Sequence, residues 1–272
     1  MLKDMTLGQY FPGNSILHKI DPRMKLILAV LYIVMIFLAK TPLAYVFVLA
    51  SAAGLIFLSR LHMRVILRGL RPILFIILLT ACINIFWTRG ETPLVDWKFI
   101  HIYPEGIQFA IFMMVRIVSL VIGTAVILTY TPPPIALTDG LEHLLMPLSK
   151  LHLPVHEFSM MMTIALRFIP TLVEETDKIM SAQKSRGTDF SSGSLLRRAK
   201  ALIPVMVPLF ISAINRATEL AVAMECRCYR GGTGRTKMNR LQYRPRDFLA
   251  LLCVCCMCAV VLLLNRYTPM IV

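Results

Sequence analysis

Two apolar runs joined by a short link decide the class of fold. Residues 21–58 read DPRMKLILAVLYIVMIFLAKTPLAYVFVLASAAGLIFL, in which residues 40–42 link the two runs. Asp21 and Pro22 are typical of a helix start, because an aspartate caps the first turn and proline suits its first position. The short link predicts an antiparallel pair of helices. Each run is slightly shorter than the about 20 residues that a bilayer requires, and flanking residues can extend it.

The composition of the whole chain indicates a membrane protein. Of the 272 residues, 57% are hydrophobic and only 16% are charged, and the mean hydropathy is +0.70. Soluble domains are about half apolar and about one quarter charged. The formal net charge of +14 is compatible with nucleic acid, anionic lipid or an acidic protein as partner, and the positions of Lys and Arg must distinguish these.

Five apolar runs predict five transmembrane helices. They are residues 24–39, 43–58, 72–87, 106–130 and 248–264. The predicted fold class is therefore all-α. We expect a polytopic membrane protein with about five transmembrane helices and a cytoplasmic helical domain that contains two long amphipathic helices.

The distribution of Lys and Arg predicts the orientation in the membrane. These residues are frequent in the N-terminal segment, at 60–71 and at 131–246, whereas the loop at 88–106 contains only Arg89 and Lys98. Because basic segments stay in the cytoplasm, the N-terminus is predicted to be cytoplasmic and, after five spans, the C-terminus extracellular. Four parts are predicted. They are a cytoplasmic N-terminal segment (1–23), a membrane domain of four helices (24–130), a cytoplasmic helical domain (131–246) and a C-terminal transmembrane helix (247–272).

Arg116 is a charge within the fourth predicted span. An arginine inside the membrane is a candidate for a substrate or ion path. It can also extend to the interface or pair inside the bundle. We favour the second interpretation. No neighbouring span offers an obvious charged partner.

The cytoplasmic domain contains patterns of amphipathic helices. A short helix is predicted at 141–148, with Thr138 as its N-cap. A long helix is predicted from Pro154 to about Ser185, because its apolar residues recur three, four or seven positions apart. A second long helix is predicted from near Leu195 to about Arg227, with a heptad-like apolar seam. Prolines within both long helices predict bends.

Each long helix is predicted to end in a single arginine between small residues. The two tripeptides are Ser185-Arg186-Gly187 and Cys226-Arg227-Cys228. The helix dipole favours a cation at this end, and a guanidinium offers a planar fork for carboxylates or carbonyl groups in a groove. The alternative is that these are ordinary arginines at the ends of surface helices. Because two successive helices end in this way, docking explains them equally well. The cysteine pair also resembles half of a metal knuckle, but no second half at zinc spacing follows, which favours a packing role.

Several motifs resemble one known family over nearly the whole chain. The sequence is similar to the transmembrane T component (EcfT) of energy-coupling factor transporters. The resemblance rests on residues 21–25 (DPRMK), 165–170 (ALRFIP), 182–187 (AQKSRG) and 223–230 (AMECRCYR). Cys226 departs mildly from the alanine or similar small residue that usually precedes the second arginine in this family.

The resemblance implies a complex of four parts in a bacterial cell membrane. These are this scaffold, a small S component that binds a vitamin or metal ion, and two ABC-type ATPases. It implies that Arg186 and Arg227, each with its two neighbours, dock into grooves on the two ATPases. It also implies a subunit that is not an enzyme and has no cofactor of its own, since the ATPases bind the ATP.

The S component is expected to contact apolar residues on the two long helices. The candidate residues are Met160, Met161, Met162, Phe210 and Ile214. Methionine side chains adapt to shifting surfaces, which suits a partner that reorients or is exchanged. Ordinary packing between helices is an equally good explanation of the methionines.

Two other functions are less well supported by the sequence. A self-contained secondary transporter predicts polar residues in several spans and an internal repeat. Apart from Arg116, Asn84 and a few hydroxyl groups the spans are apolar, and no repeat is evident. A membrane enzyme would need a site such as a metal centre at His143, His152, His156 and Glu157. Pro154 disrupts the helical spacing that such a centre requires.

The chain carries no convincing signal for nucleotides or nucleic acid. The glycine-rich residues 231–236 lack the lysine of a phosphate-binding loop and a preceding strand. The basic residues at 235–246 are better explained by a cytoplasmic loop that faces anionic lipid. We therefore expect the bilayer, and not nucleic acid, as their partner.

Overall fold

A computed structural model describes most of the chain. The described residues are 13, 15–88, 95–97, 100–151, 154–190, 194–231 and 241–267. Predictions for residues 1–12, for His152 and for the glycine-rich stretch from 232 onward lie outside the described residues.

The described residues form a helical membrane protein, which confirms the predicted all-α class. The helices are α1 (Pro22–Leu38), α2 (Pro42–Ser59), α3 (Met63–Trp87), α4 (Pro104–Thr124), α5 (Pro134–Leu145), α6 (Val155–Ser185), α7 (Leu195–Cys226) and α8 (Pro245–Tyr267). A π-helical turn continues α4 at Ala125–Tyr130, and 3-10 turns lie at Leu17–Lys19 and Met146–Leu151. Two short antiparallel strands, β1 (Val95–Trp97) and β2 (Ile100–Ile102), lie within the predicted loop, and Asp96 pairs with His101.

Five of the described helices are long and apolar enough to cross a membrane. They are α2, α3, α4 with its π-helical turn, α7 from Leu196 onward, and α8. The number agrees with the prediction, but two members differ. Helix α1 has only 17 residues, which is about 25 Å of helix and short for a bilayer. Helix α7, predicted to lie outside the membrane, meets the same criteria of length and composition.

Two predicted helix starts were wrong. Helix α3 begins at Met63 and continues through Pro72, so most of the basic stretch at 60–71 and the predicted third span form one helix. Helix α5 begins at Pro134, since the fixed backbone of proline suits a first helical turn. Thr138 is therefore inside α5 and not its N-cap, and its hydroxyl donates to the Ile135 carbonyl at 2.7 Å.

The chain divides into two compact units. We call residues 8–140 with 241–272 the bundle unit, and residues 141–240 the helical-pair unit. The core of the bundle unit consists mainly of apolar side chains from α1, α2, α8 and α4 with its π-helical turn, and it also includes Ile66 of α3 and Leu17 of a 3-10 turn. Tyr32 of α1 is only 1% exposed, and a Cβ atom at Gly123 of α4 would overlap its ring. A glycine therefore permits the close approach of these two helices.

The start of α1 is fixed by two aspartates. The Asp21 carboxylate accepts a hydrogen bond from the Arg23 amide at 2.9 Å, which confirms the predicted N-cap. The Asp21 amide in turn donates to the Asp247 carboxylate at 2.9 Å. Asp247 is 1% exposed and also accepts from the Arg244 amide at 2.8 Å. The beginnings of α1 and α8 are thus bound together.

The turn between α1 and α2 is held by side chains from two other helices. Arg116 of α4 donates to the Ala39 carbonyl at 3.2 Å and to the Tyr45 hydroxyl. Asn265 of α8 donates to the Leu38 carbonyl and accepts from the Lys40 amide at 3.1 Å. These contacts agree with the interpretation that Arg116 pairs inside the bundle, with neutral partners in place of a charged one.

Candidate docking site at two helix tips

Helices α6 and α7 run antiparallel in the helical-pair unit. Gln183, near the end of α6, donates to the carbonyl of Pro204, near the start of α7, at 3.4 Å. Further along the pair, Glu175 of α6 contacts Ser212 and Arg216 of α7. The C-terminal tips of the two helices therefore lie at opposite ends of the pair. With 31 and 32 residues, each helix is roughly 45 Å long, so the tips are tens of ångströms apart.

The tip of α6 ends in a complete Schellman motif. The Gly187 amide donates to the Lys184 carbonyl at 2.9 Å, and the Thr188 amide donates to the Gln183 carbonyl at 3.0 Å. Gly187 has φ of +86°, a left-handed conformation that glycine adopts without a steric penalty. Arg186 is the C-cap residue, which confirms the predicted helix stop.

The tip of α7 has the same backbone arrangement. The Cys228 amide donates to the Glu225 carbonyl at 2.8 Å, and the Tyr229 amide donates to the Met224 carbonyl at 3.0 Å. Arg227 is the C-cap residue. Cys228 occupies the position of Gly187, with φ of +56°. A side chain in this conformation costs about 1 kcal/mol.

The two arginine tripeptides are therefore structurally equivalent. In each, the residues are the last helical residue, the C-cap and the left-handed residue. All six residues are exposed in the chain: Ser185, Arg186, Gly187, Cys226, Arg227 and Cys228. Each guanidinium belongs to a residue at the negative end of a helix dipole, and each chain direction reverses immediately after it. A planar cation on a narrow, exposed tip is suited to a partner groove that offers carboxylate or carbonyl oxygens.

The surroundings of the α7 tip include a pocket of about 340 Å³. Its lining combines the arginines Arg227 and Arg230 with Tyr229 and, from α6, Met160. The start of α6 thus contributes to the surface around the α7 tip, as the antiparallel pairing requires. Met160, a candidate residue for contact with the S component, lies beside Arg227 and not on a separate surface.

The other four residues proposed to contact the S component are exposed in the chain. The exposed fractions are 57% for Met161 and 39% for Met162 on α6, and 67% for Phe210 and 49% for Ile214 on α7. Exposed apolar side chains on neighbouring helices mark a surface that another molecule or lipid can cover.

A polar cluster ties the two long helices together between their tips. The Glu175 carboxylate accepts hydrogen bonds from the Ser212 hydroxyl and, at 3.0 Å, from the Arg216 guanidinium. The Ser212 hydroxyl and the Arg216 charge hold the pKa of Glu175 below its ordinary value. The sequence analysis did not identify this cluster, because pairing Glu175 with Ser212 requires the register between the helices.

A second polar cluster joins α5 to the start of α6. The Glu142 carboxylate accepts from the Ser159 hydroxyl at 2.8 Å and lies 3.0 Å from His156 Nδ1. Glu142 and His156 thus form a pair across two helices. Among the described residues there is no group of three His, Cys, Asp or Glu side chains that could hold a metal ion.

Comparisons with known proteins identify the family. A family model described as CbiQ, cobalt transport protein, matches residues 13–238. The chain is 53% identical over 254 residues to the energy-coupling factor transporter transmembrane protein EcfT of Clostridium kluyveri, covering 93% of this chain and 94% of that protein. It is 53% identical over 249 residues to the EcfT of Ruminiclostridium cellulolyticum, covering 92% of each chain.

A more distant relative gives the same result. The EcfT of Bacillus subtilis is 46% identical over 247 residues, which cover 91% of this chain and 93% of that protein. The residues matched by the family model, 13–238, include both helix tips and parts of both compact units. This multi-pass membrane chain therefore belongs to the EcfT family of energy-coupling factor transporter transmembrane proteins.

Proposed function

We propose that this chain is the coupling scaffold of an ECF-type ABC importer. It transmits ATP binding and hydrolysis by two ATPase subunits to a membrane-embedded S component that takes up a vitamin or metal ion. The observation that carries the proposal is the pair of exposed arginine C-caps, Arg186 and Arg227, built by the same backbone motif at opposite ends of one antiparallel pair.

The separation of the tips supports two separate docking partners. Two equivalent cations at one end of the pair would suit a single groove. At opposite ends of helices roughly 45 Å long, they suit two equivalent grooves, one on each of two similar subunits. Each arginine then engages one ATPase. The chain itself binds no nucleotide in this scheme, and the chemistry of ATP hydrolysis belongs to the ATPases.

Movement of the ATPases would be converted into a change of angle between α6 and α7. When ATP binding closes the ATPase pair, its two grooves approach each other and draw the tips with them. Because the Glu175 cluster ties the helices between the tips, the tips move about this point. Pro170 in α6, together with Pro204 and Pro208 in α7, provides places where each helix can bend.

The exposed apolar surface of the helical pair is proposed to receive the S component. Met160, Met161, Met162, Phe210 and Ile214 are the candidate contacts, and a membrane-embedded partner explains why they are apolar. This also explains why α7 is apolar enough to span a bilayer. In this arrangement α6 and α7 lie on the cytoplasmic side, α1 is the first span, the N-terminus is cytoplasmic and the C-terminus is extracellular.

Charge reversal at the tips tests the proposal in a reconstituted complex. We expect Arg186→Glu or Arg227→Glu to reduce ATP-driven uptake by more than 10-fold and to weaken co-purification of the ATPases. Reversal replaces attraction to the groove by repulsion. Arg266→Glu is the matched control, because it reverses an exposed arginine in the last turn of α8, outside the helical-pair unit.

Two outcomes would contradict the proposal. One is full uptake by both tip variants. The other is ATP-independent uptake by the purified chain alone in proteoliposomes, which would indicate a self-contained secondary transporter.

A further inference from the structure

The bundle unit contains an apolar cleft that the coupling scheme does not use. The cleft has a volume of about 490 Å³ and lies between α1, α2 and α8. We define it by Lys25 and Leu28 of α1, Gly54 and Leu55 of α2, and Arg246 and Leu249 of α8. Its walls are almost entirely hydrocarbon, and exposed apolar residues such as Leu58 and Leu249 lie on its lining.

Such a cleft in a membrane protein opens toward hydrocarbon and not toward water. Helices α2 and α8 are both apolar enough to span the bilayer, and they supply much of the lining. Water in the cleft would need two to four polar partners, which these walls offer at few positions. Lipid acyl chains are the apolar molecules available at this surface.

The charged residues of the cleft all lie near the beginnings of α1 and α8. Lys25 lines the cleft, is only 3% exposed, and lies within electrostatic reach of Asp21 and Asp247. Arg246 is the other cation among the described lining residues, and its side chain is exposed. A guanidinium at the entrance of an apolar cleft is suited to a lipid phosphate, which it can bind through two parallel hydrogen bonds.

We propose that this cleft is a phospholipid-binding site. One acyl chain lies along α1, α2 and α8, and the phosphate of the same lipid pairs with Arg246. The site goes beyond the coupling function, since it involves neither helix tip. It would bind a structural lipid that remains with the transporter during purification.

Gly54 provides a direct way to fill the cleft. It lies on the lining, and a Cβ atom added there would meet nothing within 4 Å. A phenylalanine at this position can therefore extend from α2 without a backbone collision, and it replaces a residue that weakens helices. Ala53 is exposed, is adjacent in α2 and is not among the lining residues, so Ala53→Phe is the matched control.

Photolabelling of the intact transporter tests the site. Complexes purified through this chain are incubated in nanodiscs with phosphatidylglycerol that carries a photoreactive acyl chain, or with diacylglycerol that carries the same chain. We expect phosphatidylglycerol to label peptides around Leu55 and Leu249 several-fold more strongly than diacylglycerol. Gly54→Phe should reduce labelling by both probes at least 5-fold relative to Ala53→Phe.

Arg246→Gln isolates the contribution of the phosphate. It should reduce phosphatidylglycerol labelling to the level of diacylglycerol, whereas Arg244→Gln, outside the lining, should not. Equal labelling of Gly54→Phe and Ala53→Phe would show that no acyl chain enters the cleft. Absence of labelling in every complex would show that a partner subunit covers it. Unchanged labelling of Arg246→Gln would show that the phosphate is bound elsewhere. Each of these three results overturns the proposal.

Discussion

The tips of α6 and α7 share one backbone motif but differ in the residue that makes the turn. Gly187 adopts the left-handed conformation at the end of α6, and Cys228 adopts it at the end of α7. Glycine does so without penalty, whereas cysteine loses about 1 kcal/mol. The left-handed turn is thus unstrained at the α6 tip and strained at the α7 tip. The two tips therefore share the backbone conformation and not the residue type.

The largest effect expected from this comparison concerns the arginines themselves. Arg186→Ala and Arg227→Ala should each reduce uptake by more than 10-fold, because each removes the cation from one of two equivalent tips. The double variant should be no less defective than either single variant in ATP-driven uptake assays. Near-normal uptake by one variant alone would show that the tips are not equivalent.

The next effect separates the two left-handed positions. Gly187→Ala should destabilise the α6 tip by about 1 kcal/mol, because it introduces a Cβ atom at positive φ. Cys228→Ala should cost almost nothing, because a Cβ atom is already present there. Hydrogen exchange of the amides at 187, 188, 228 and 229 measures both effects. Equal protection changes at the two tips would contradict the assigned conformations.

The reverse substitution should sharpen the comparison further. Cys228→Gly should stabilise the α7 tip by up to about 1 kcal/mol, reduced by the greater freedom of glycine in the unfolded chain. Slower hydrogen exchange at the Tyr229 amide is the expected readout. Faster exchange would show that the cysteine side chain contributes a contact that outweighs its strain.

The smallest expected effect concerns the Glu175 cluster, which links α6 to α7. Since the pKa of Glu175 is lowered in the folded protein, its contribution is complete above the ordinary glutamate pKa and is lost as pH falls through the lowered value. Acidification should therefore reduce the protection of amides around 175 and 212, after correction for the intrinsic pH dependence of exchange. The reduction should be modest because the pair is partly exposed. Glu175→Gln should remove this pH dependence. If Glu175→Gln shows the same pH dependence of amide exchange as the unmodified protein, another titratable group is responsible.

The sequence was sufficient for the long helices and for the positions of both tips. Apolar periodicity predicted α6 and α7, and Gly187 predicted the end of α6, because both signals are local. Cys228 gave no such signal, since cysteine has no preference for a left-handed conformation. The left-handed turn that the two tips share therefore became evident only from the backbone conformation and hydrogen bonds.

Interactions between distant helices were the least predictable part. The partners of Arg116 were sought among charged residues, but they are a carbonyl oxygen and a tyrosine hydroxyl. Ser212 and Glu175 were likewise unremarkable until the register of the helical pair placed them together. The starts of two helices were the other source of error. Helix α3 continues through Pro72, and α5 begins at Pro134, because proline suits the first turn of a helix.

The turn held by Arg116 and Asn265 has a consequence for the surrounding membrane. Helices α1 and α2 have 17 and 18 residues, so this hairpin reaches only about 27 Å, less than the about 30 Å of a typical hydrocarbon layer. Because both ends of α1 are fastened to other helices, the hairpin cannot lengthen. The lipids beside it must shorten, so thicker bilayers should impose an energetic penalty on this protein.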